Sequence, residues 1–151
     1  MTTFALDTNC IVAAALTGHS HHQATARAIE VLERGGATPV MVAHTLIEAY
    51  AVLTRLPDQM RLDPATARTV LVESWSGSPT TAPTAEESWR VVHIAADAGV
   101  SGSRIHDAVI GQTAREAEVD LLLTWNVGHF ERWPMGATRV CSPEDLLGSG
   151  A

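Results

Sequence analysis

Three of the 17 acidic residues in this chain stand in surroundings that surface carboxylates avoid. Asp7 is the only acid before Glu30 and lies between FAL and the apolar stretch TNCIVAAAL. Glu48 is the only acid in PVMVAHTLIEAYAVLTRLP, and Asp107 is the only one between Asp97 and Glu116, in RIHDAVIG. The others, such as Glu30, Asp58, Glu86 and Glu118, keep polar company on helix faces and in loops. A carboxylate in apolar surroundings either takes up a proton or finds a compensating partner. Converging carboxylates repel one another unless a cation lies between them. Oxygen donors without a Cys or His cluster suit Mg2+ or Mn2+ rather than zinc. A hard cation held this way, with positions open for water, is equipment for hydrolysing a phosphodiester bond: it activates water, orients the phosphate and stabilises the departing oxygen.

Each acid alone also has a structural explanation. Asp7 can cap a helix starting at Thr8, Asp107 can answer the positive end of its helix, and Glu48 can pair with Arg55 or a more distant arginine. The elements around them bring the three into one argument. Short apolar strands alternate with amphipathic helices, which predicts an α/β fold with a mainly parallel sheet covered on both sides. TFAL is the first strand, followed by a helix over TNCIVAAAL and another from about Ser20 to Arg34, stopped by Gly35-Gly36. Pro39 to Val42 is the second strand and leads into a helix from Ala43 to Arg55. Asp63-Pro64 starts a helix running to Trp75, Pro64 suiting its first position. SGSPTTAP is loop or a short edge strand.

Thr84 to Ala98 is helical, with Thr84 and Glu87 forming a capping box. A further helix spans about Arg104 to Glu118, DLLLT is a strand, and Asn126 to Phe130 is a short helix or turn. TRVC is the last strand, and Ser142-Pro143-Glu144 opens a last short helix. Asp7 then ends the first strand and Asn126 follows DLLLT, so both leave carboxyl edges of the sheet, where open α/β sheets gather their binding sites. Asp107 sits early in its helix and can lie near that edge. Gly111 and Ala114, on its side of the helix, allow close approach. Glu48 can reach in from a buried helix, apolar on nearly every face.

Composition bounds the rest. The 151 residues suit one domain over 1–151, and 46% hydrophobic with 18% charged residues reads as compact rather than disordered. No apolar run approaches the roughly 20 residues of a membrane span, and MTTFALDTNC lacks the basic head of a secretory signal. The expected compartment is therefore the cytoplasm, without membrane attachment. Cys10 and Cys141 read as buried thiols. The net charge of −7 argues mildly against broad nucleic-acid binding. All 10 basic residues are arginines, of which Arg27, Arg55 and Arg104 are candidates for flanking phosphates. The run His19, His21, His22 reads as a polar loop rather than a metal cluster. His106 reads as a packing residue, because helical neighbours point apart. Trp75, Trp89 and Trp133 read as core or interface; Trp125 stands at the edge of the site, between Thr124 and Asn126.

In order, FALDTNCIVAAAL, LIEAYAVLTRLP, RIHDAVIGQTA and LLTWNVGHF, with the closing TRVCSPEDLL, resemble the PIN-domain ribonucleases, and most closely the VapC-type toxins of bacterial toxin–antitoxin pairs. The resemblance implies a single PIN-like domain, a three-layer α/β/α fold with a mainly parallel central sheet. It implies that Asp7, Glu48 and Asp107 form the family's catalytic acidic cluster, with Asp7 and Asp107 as the metal ligands for Mg2+ or Mn2+. Asn126 falls where the family often has a fourth acid, so it either offers its carbonyl oxygen to water or metal or only caps the next turn. The departure leaves one or two metals open. Asn9 and Thr124 match polar positions that support the acids. The resemblance further implies an RNA substrate, a VapB-like antitoxin whose arginine enters the acidic cleft, and a homodimer formed through the LIEAYAVL and PATARTVLVESW helices, with a higher toxin–antitoxin oligomer as an extension.

Two rivals stand beside this reading. A phosphatase using Asp7 as nucleophile normally wants an acid where Asn9 stands and a lysine to steady the phosphoryl group, and the chain has no lysine. A non-catalytic PIN-like module that binds RNA or protein would fit the acidic net charge and Asn126. It gives no reason to retain three acids in apolar surroundings.

Overall fold

The computed structural model describes residues 2–148, so residues 1 and 149–151 of the expected domain lie outside the described residues. Strand β1 (Thr3–Leu6) is the hub of a four-stranded sheet ordered β2 (Thr38–Pro39), β1, β5 (Leu121–Leu123), β6 (Arg139–Cys141), and every pair in it is parallel. Side chains alternate across a strand, and the register Phe4↔Leu121, Ala5↔Leu122, Leu6↔Leu123 puts like with like. Phe4, Leu6, Leu121 and Leu123 therefore face one layer, built from helices α1 (Thr8–Ala15), α2 (His22–Arg34), α3 (Ala43–Arg55) and α4 (Pro64–Trp75). Ala5 and Leu122 face the other, where Ile110 and Ala114 of α6 (Arg104–Glu116) meet Phe130. Helix α5 (Ala85–Ala98) lies outside α6, joined to it through Val91, Ala95, Ala108 and the buried Trp133. The result is the expected three-layer α/β/α arrangement. Each fully buried Leu or Phe in it contributes ~1.5–3 kcal/mol relative to exposure.

The second predicted strand divides. Thr38–Pro39 joins β1, whereas Met41–Val42 (β3) turns away and pairs in parallel with β4 (Thr80–Thr81), making a separate two-stranded sheet. Residue 39 is a proline without an N–H, which suits the edge strand it occupies. Thr80–Thr81 thus supply a short strand where the sequence left loop or edge strand open. Helices α2 and α3 bound their predicted spans closely, α2 beginning at His22 rather than Ser20. The Thr84–Glu87 capping box on α5 forms with both hydrogen bonds, at 3.1 Å each. A last helix, α7 (Pro143–Gly148), packs on α2. Cys10 and Cys141 are buried free thiols.

Helix α3 departs from expectation in its burial. Only Thr45, Ala49 and Leu53 are buried, while Ile47 is 71% and Tyr50 39% exposed. The helix turns one stripe to the core and an apolar stripe outward. Val72 of α4 (51% exposed) is a further exposed apolar residue, and Tyr50 borders a groove with Pro64, Ala65, Arg68, Leu71 and Val72.

Candidate metal centre

Asp7 is held by the end of the sheet. Its backbone N–H donates to the Leu123 carbonyl at 2.9 Å, one step beyond the β1–β5 ladder, and its side chain caps α1 by accepting from Thr8 N at 2.7 Å. The Thr124 hydroxyl donates to the second carboxylate oxygen at 2.7 Å. Asn9 joins them: its amide nitrogen donates to Asp7 Oδ2 (3.4 Å) and Thr124 Oγ1 (3.3 Å), and its carbonyl oxygen accepts from Trp125 N at 3.1 Å. The helix-capping explanation of Asp7 is therefore true but incomplete, since a cap needs only one of the two oxygens. Asn9, in the position where a phosphatase of the rival type needs an acid, is a tether between the two strand ends.

Asp7 is 3% exposed, and it is the only buried acid among the described residues. Burial pushes its carboxyl up from the ordinary 3.8 to about 6; the Thr124 hydroxyl pulls down, Asp107 pushes up, Thr8 N–H pulls down and Glu48 adds a smaller upward push. Asp107 and Glu48 thus both stand near enough to Asp7 to disfavour its charged form. Asp7, Glu48, Asp107 and Asn126 line one cleft of about 290 Å³, which also takes in Asn9 and His19. A neighbouring space of about 510 Å³ shares Glu48, Asp107 and Asn126 with it and adds Arg55, Arg104, His106 and His129.

Asp107 stands in the first turn of α6, where a carboxylate is favoured by the helix dipole, but its Oδ2 lies 2.9 Å from Nδ1 of His129. With the acid ionised, that nitrogen must carry the donated proton. Asn126 heads the 3₁₀ turn Val127–Phe130 without capping it through its side chain. Its amide is left exposed at the cleft while its N–H donates to Thr124 Oγ1 at 2.9 Å. Gly111 does allow a close approach, but to Met135 and Phe130 rather than to the acids: an added Cβ would meet Met135 Sδ at 3.0 Å.

Several expectations change here. Glu48 pairs with His44 rather than Arg55: the two lie one turn apart on α3, with Nε2 3.0 Å from Oε1. His106 is exposed rather than packed, and its Nδ1 lies 3.0 Å from the same His44 Nε2. His44 and His129 were not legible as site residues, although His44 at i−4 from Glu48 was a usable signal. Arg55 and Arg104 line the neighbouring space, whereas Arg27 is paired with Glu30 on α2 at 3.3 Å. Trp125 turns its indole N–H to Thr25 Oγ1 (2.9 Å), and His21 stacks on its ring at 3.8 Å. Among the clustered histidines, His22 bonds the Ala13 carbonyl oxygen and His19 borders the cleft. Trp75 and Trp133 are core residues, while Trp89 is 70% exposed, which leaves only the interface half of its reading.

The layered fold, the acids at the carboxyl edge and the polar tether between strand ends coincide with a family. A model of the PIN domain matches residues 4–132, and the chain belongs to the PIN-domain family. Within it the chain is of the VapC type. It is 34% identical to Ribonuclease VapC40 of Mycobacterium tuberculosis over 116 residues, covering 77% of this chain and 81% of that protein. Among solved structures, VapBC2 from Rickettsia felis, bound to a DNA fragment from its promoter, aligns with a TM-score of 0.69 over 93% of this chain and 98% of that one, at 16% identity. Mycobacterium tuberculosis VapC20, a sarcin–ricin loop cleaving toxin, aligns with a TM-score of 0.62 over 79% and 86%, at 15% identity.

Proposed function

We propose that this chain is a divalent-metal-dependent endoribonuclease acting as the toxin of a type II toxin–antitoxin pair. The observation that carries the reading is the convergence of Asp7, Glu48 and Asp107 on one cleft, with the buried Asp7 carboxyl pushed up to about 6 by burial and by the other two acids. The residues fit a hard cation. Glu48 Oε1 is buried yet accepts no hydrogen bond, and the amide of Asn126 faces the same cleft. An oxygen-rich set of this kind suits Mg2+ or Mn2+, with Asp7 and Asp107 as its ligands and Glu48 and Asn126 completing the site.

When bound, the cation supplies the Lewis acidity that phosphodiester hydrolysis needs. The chain's own residues do the positioning. Thr124 and the Thr8 N–H fix both oxygens of Asp7, so the carboxylate cannot swing away. His129 holds Asp107 through its Oδ2. Arg55, Arg104 and Arg132, none of them in an ion pair among the described residues, line the space beside the cleft and a further cavity of about 370 Å³ next to it, where flanking phosphates can rest. These local contacts answer the net charge of −7, because recognition of a shaped or single-stranded RNA asks for them more than for global attraction.

VapC40 and VapC27 are named ribonucleases, and VapC20 a toxin that cleaves the sarcin–ricin loop, which supports RNA as the substrate class. The VapBC2 complex supports a VapB-like antitoxin as partner. Its arginine fits the acidic cleft, since a guanidinium matches carboxylates in geometry and takes the place of the cation. The exposed Ile47, Tyr50 and Val72 are the surface through which a homodimer forms. No helix among the described residues is long and apolar enough to cross a membrane, and an RNA substrate supports the cytoplasm as the compartment of its work.

Two experiments test the reading. Purified protein should cut RNA with Mg2+ or Mn2+ and stop in EDTA; full activity in EDTA, with metal-free protein established by elemental analysis, overturns the metal mechanism. Expressed alone, the chain should arrest growth, its Asp7→Ala variant should not, and the neighbouring small gene should rescue. A harmless wild type that still cuts RNA removes the toxin claim and leaves the nuclease.

A further inference from the structure

We infer that His44, Glu48 and His106 form a second metal site, selective for a borderline transition ion such as Zn2+, and that filling it switches off the acidic cleft by taking Glu48 from it. His44 and Glu48 project from one face of α3, one turn apart, and His106 faces them from the first turn of α6. His44 Nε2 lies 3.0 Å from Glu48 Oε1 and 3.0 Å from His106 Nδ1, and the three ligand atoms all fall within 4.8 Å of one another. Tetrahedral ligands about 2.0–2.1 Å from a zinc ion are themselves separated by little more than 3 Å, so this spacing asks for small movements only.

Hydrogen bonding alone leaves the cluster unsatisfied. The contact between His44 Nε2 and His106 Nδ1 takes a single ring proton, whichever ring donates it. Glu48 Oε1, although 3.0 Å from the same nitrogen, is buried without a hydrogen bond. A cation in place of that proton satisfies both imidazole nitrogens and the orphaned oxygen together. Two imidazoles and one carboxylate are the donor set of an open zinc site, with a fourth position left for water, and imidazole favours Zn2+ over Mg2+. The acidic cleft offers oxygens, so the two sites sort metals by donor chemistry and compete for Glu48. His106 is exposed and His44 half-buried, which gives the ion an entry path.

Zinc binding does not depend on the ribonuclease reading; the loss of cleavage does. Calorimetric titration of Zn2+ into the full chain in excess Mg2+ should show a site that His106→Ala and His44→Ala each weaken at least ~10-fold, the lower figure for losing even an outer partner of a metal ligand. Asp7→Ala should keep it, which separates this site from the acidic cleft. His19→Ala should also keep it, which separates it from the histidine run. In RNA cleavage with Mg2+, Zn2+ should inhibit wild type at concentrations that fill the site, and His106→Ala should need at least ~10-fold more for the same fractional inhibition, each protein measured against its own zinc-free rate. Wild-type zinc affinity in His106→Ala overturns the site. Zinc that binds there while cleavage proceeds undiminished overturns the switch. A protein inactive under every metal condition that still binds Zn2+ through His44 and His106 keeps the site and counts against the ribonuclease instead.

Discussion

The Thr124 hydroxyl donates to Asp7 Oδ2 at 2.7 Å, linking the residues that immediately follow two neighbouring parallel strands. This bond holds down the proton affinity of a carboxyl that burial otherwise raises. Thr124→Val removes the donor at constant shape. A hydrogen bond to a charged group is worth ~1.5–3 kcal/mol, so the acid limb of the cleavage pH profile should move up by ~1–2 pH units. Thr124→Ser should restore it. A profile unchanged in Thr124→Val would mean that the bond does not tune Asp7.

Proton and cation compete for Asp7. With its carboxyl at about 6 in the metal-free protein, apparent Mn2+ affinity should fall as pH drops below 6 and level off above it. Each pH unit below the midpoint should cost ~10-fold if Asp7 alone titrates. Calorimetry across pH 4.5 to 8 (about the range in which the fold is expected to hold) checks this. Affinity flat through pH 6 contradicts it.

The same group makes a stability prediction of definite sign. From the ordinary 3.8 to about 6, the folded metal-free protein holds a proton that the unfolded chain releases, so stability falls as pH rises through this window, by on the order of 2–3 kcal/mol. Asp7→Asn removes that loss. In EDTA at pH 7 it should melt higher than wild type, by ~2–4 °C for each kcal/mol recovered. Mn2+ should raise the wild-type Tm and leave the variant's nearly unchanged. A variant that melts lower than wild type in EDTA would show that the lost acceptor, not the charge, dominates at this position.

The apolar stripe on α3 predicts a dimer. Ile47→Glu and Val72→Glu place charges on residues 71% and 51% exposed, so the monomer should fold while the dimer dissociates. Light scattering at micromolar concentration checks both variants against wild type. A monomeric wild type contradicts the dimer.

Much of this was legible in the sequence because burial constrains charge. Asp7, Glu48 and Asp107 stood out as the only acids of largely apolar segments, although only Asp7 is buried while Glu48 and Asp107 are half-buried. The strand–helix alternation carried Asp7 and Asn126 to the sheet's carboxyl edge, where the cleft lies. The break at Val40 was not legible, since PVMV is one apolar run and its division depends on Thr80–Thr81 arriving beside Met41–Val42. Nor was the partner of Asp107, because NVGHF holds no sign of where its turn returns His129. For Glu48 the arginine was the wrong partner. His44 is one turn away on the same face, whereas Arg55 is two turns away at the helix end.

The most direct test of the acidic cleft as one metal-holding centre counts bound Mn2+ and measures RNA cleavage on the same samples of wild type, Asp7→Asn, Asp107→Asn and Asn126→Ala. Wild type should bind Mn2+ and cut. Asp7→Asn and Asp107→Asn should lose both together, cleavage by at least ~100-fold, and Asn126→Ala should lose less, because a neutral amide holds a cation more weakly than a carboxylate. An Asp7→Asn protein that binds no Mn2+ and cuts RNA at the wild-type rate would contradict it.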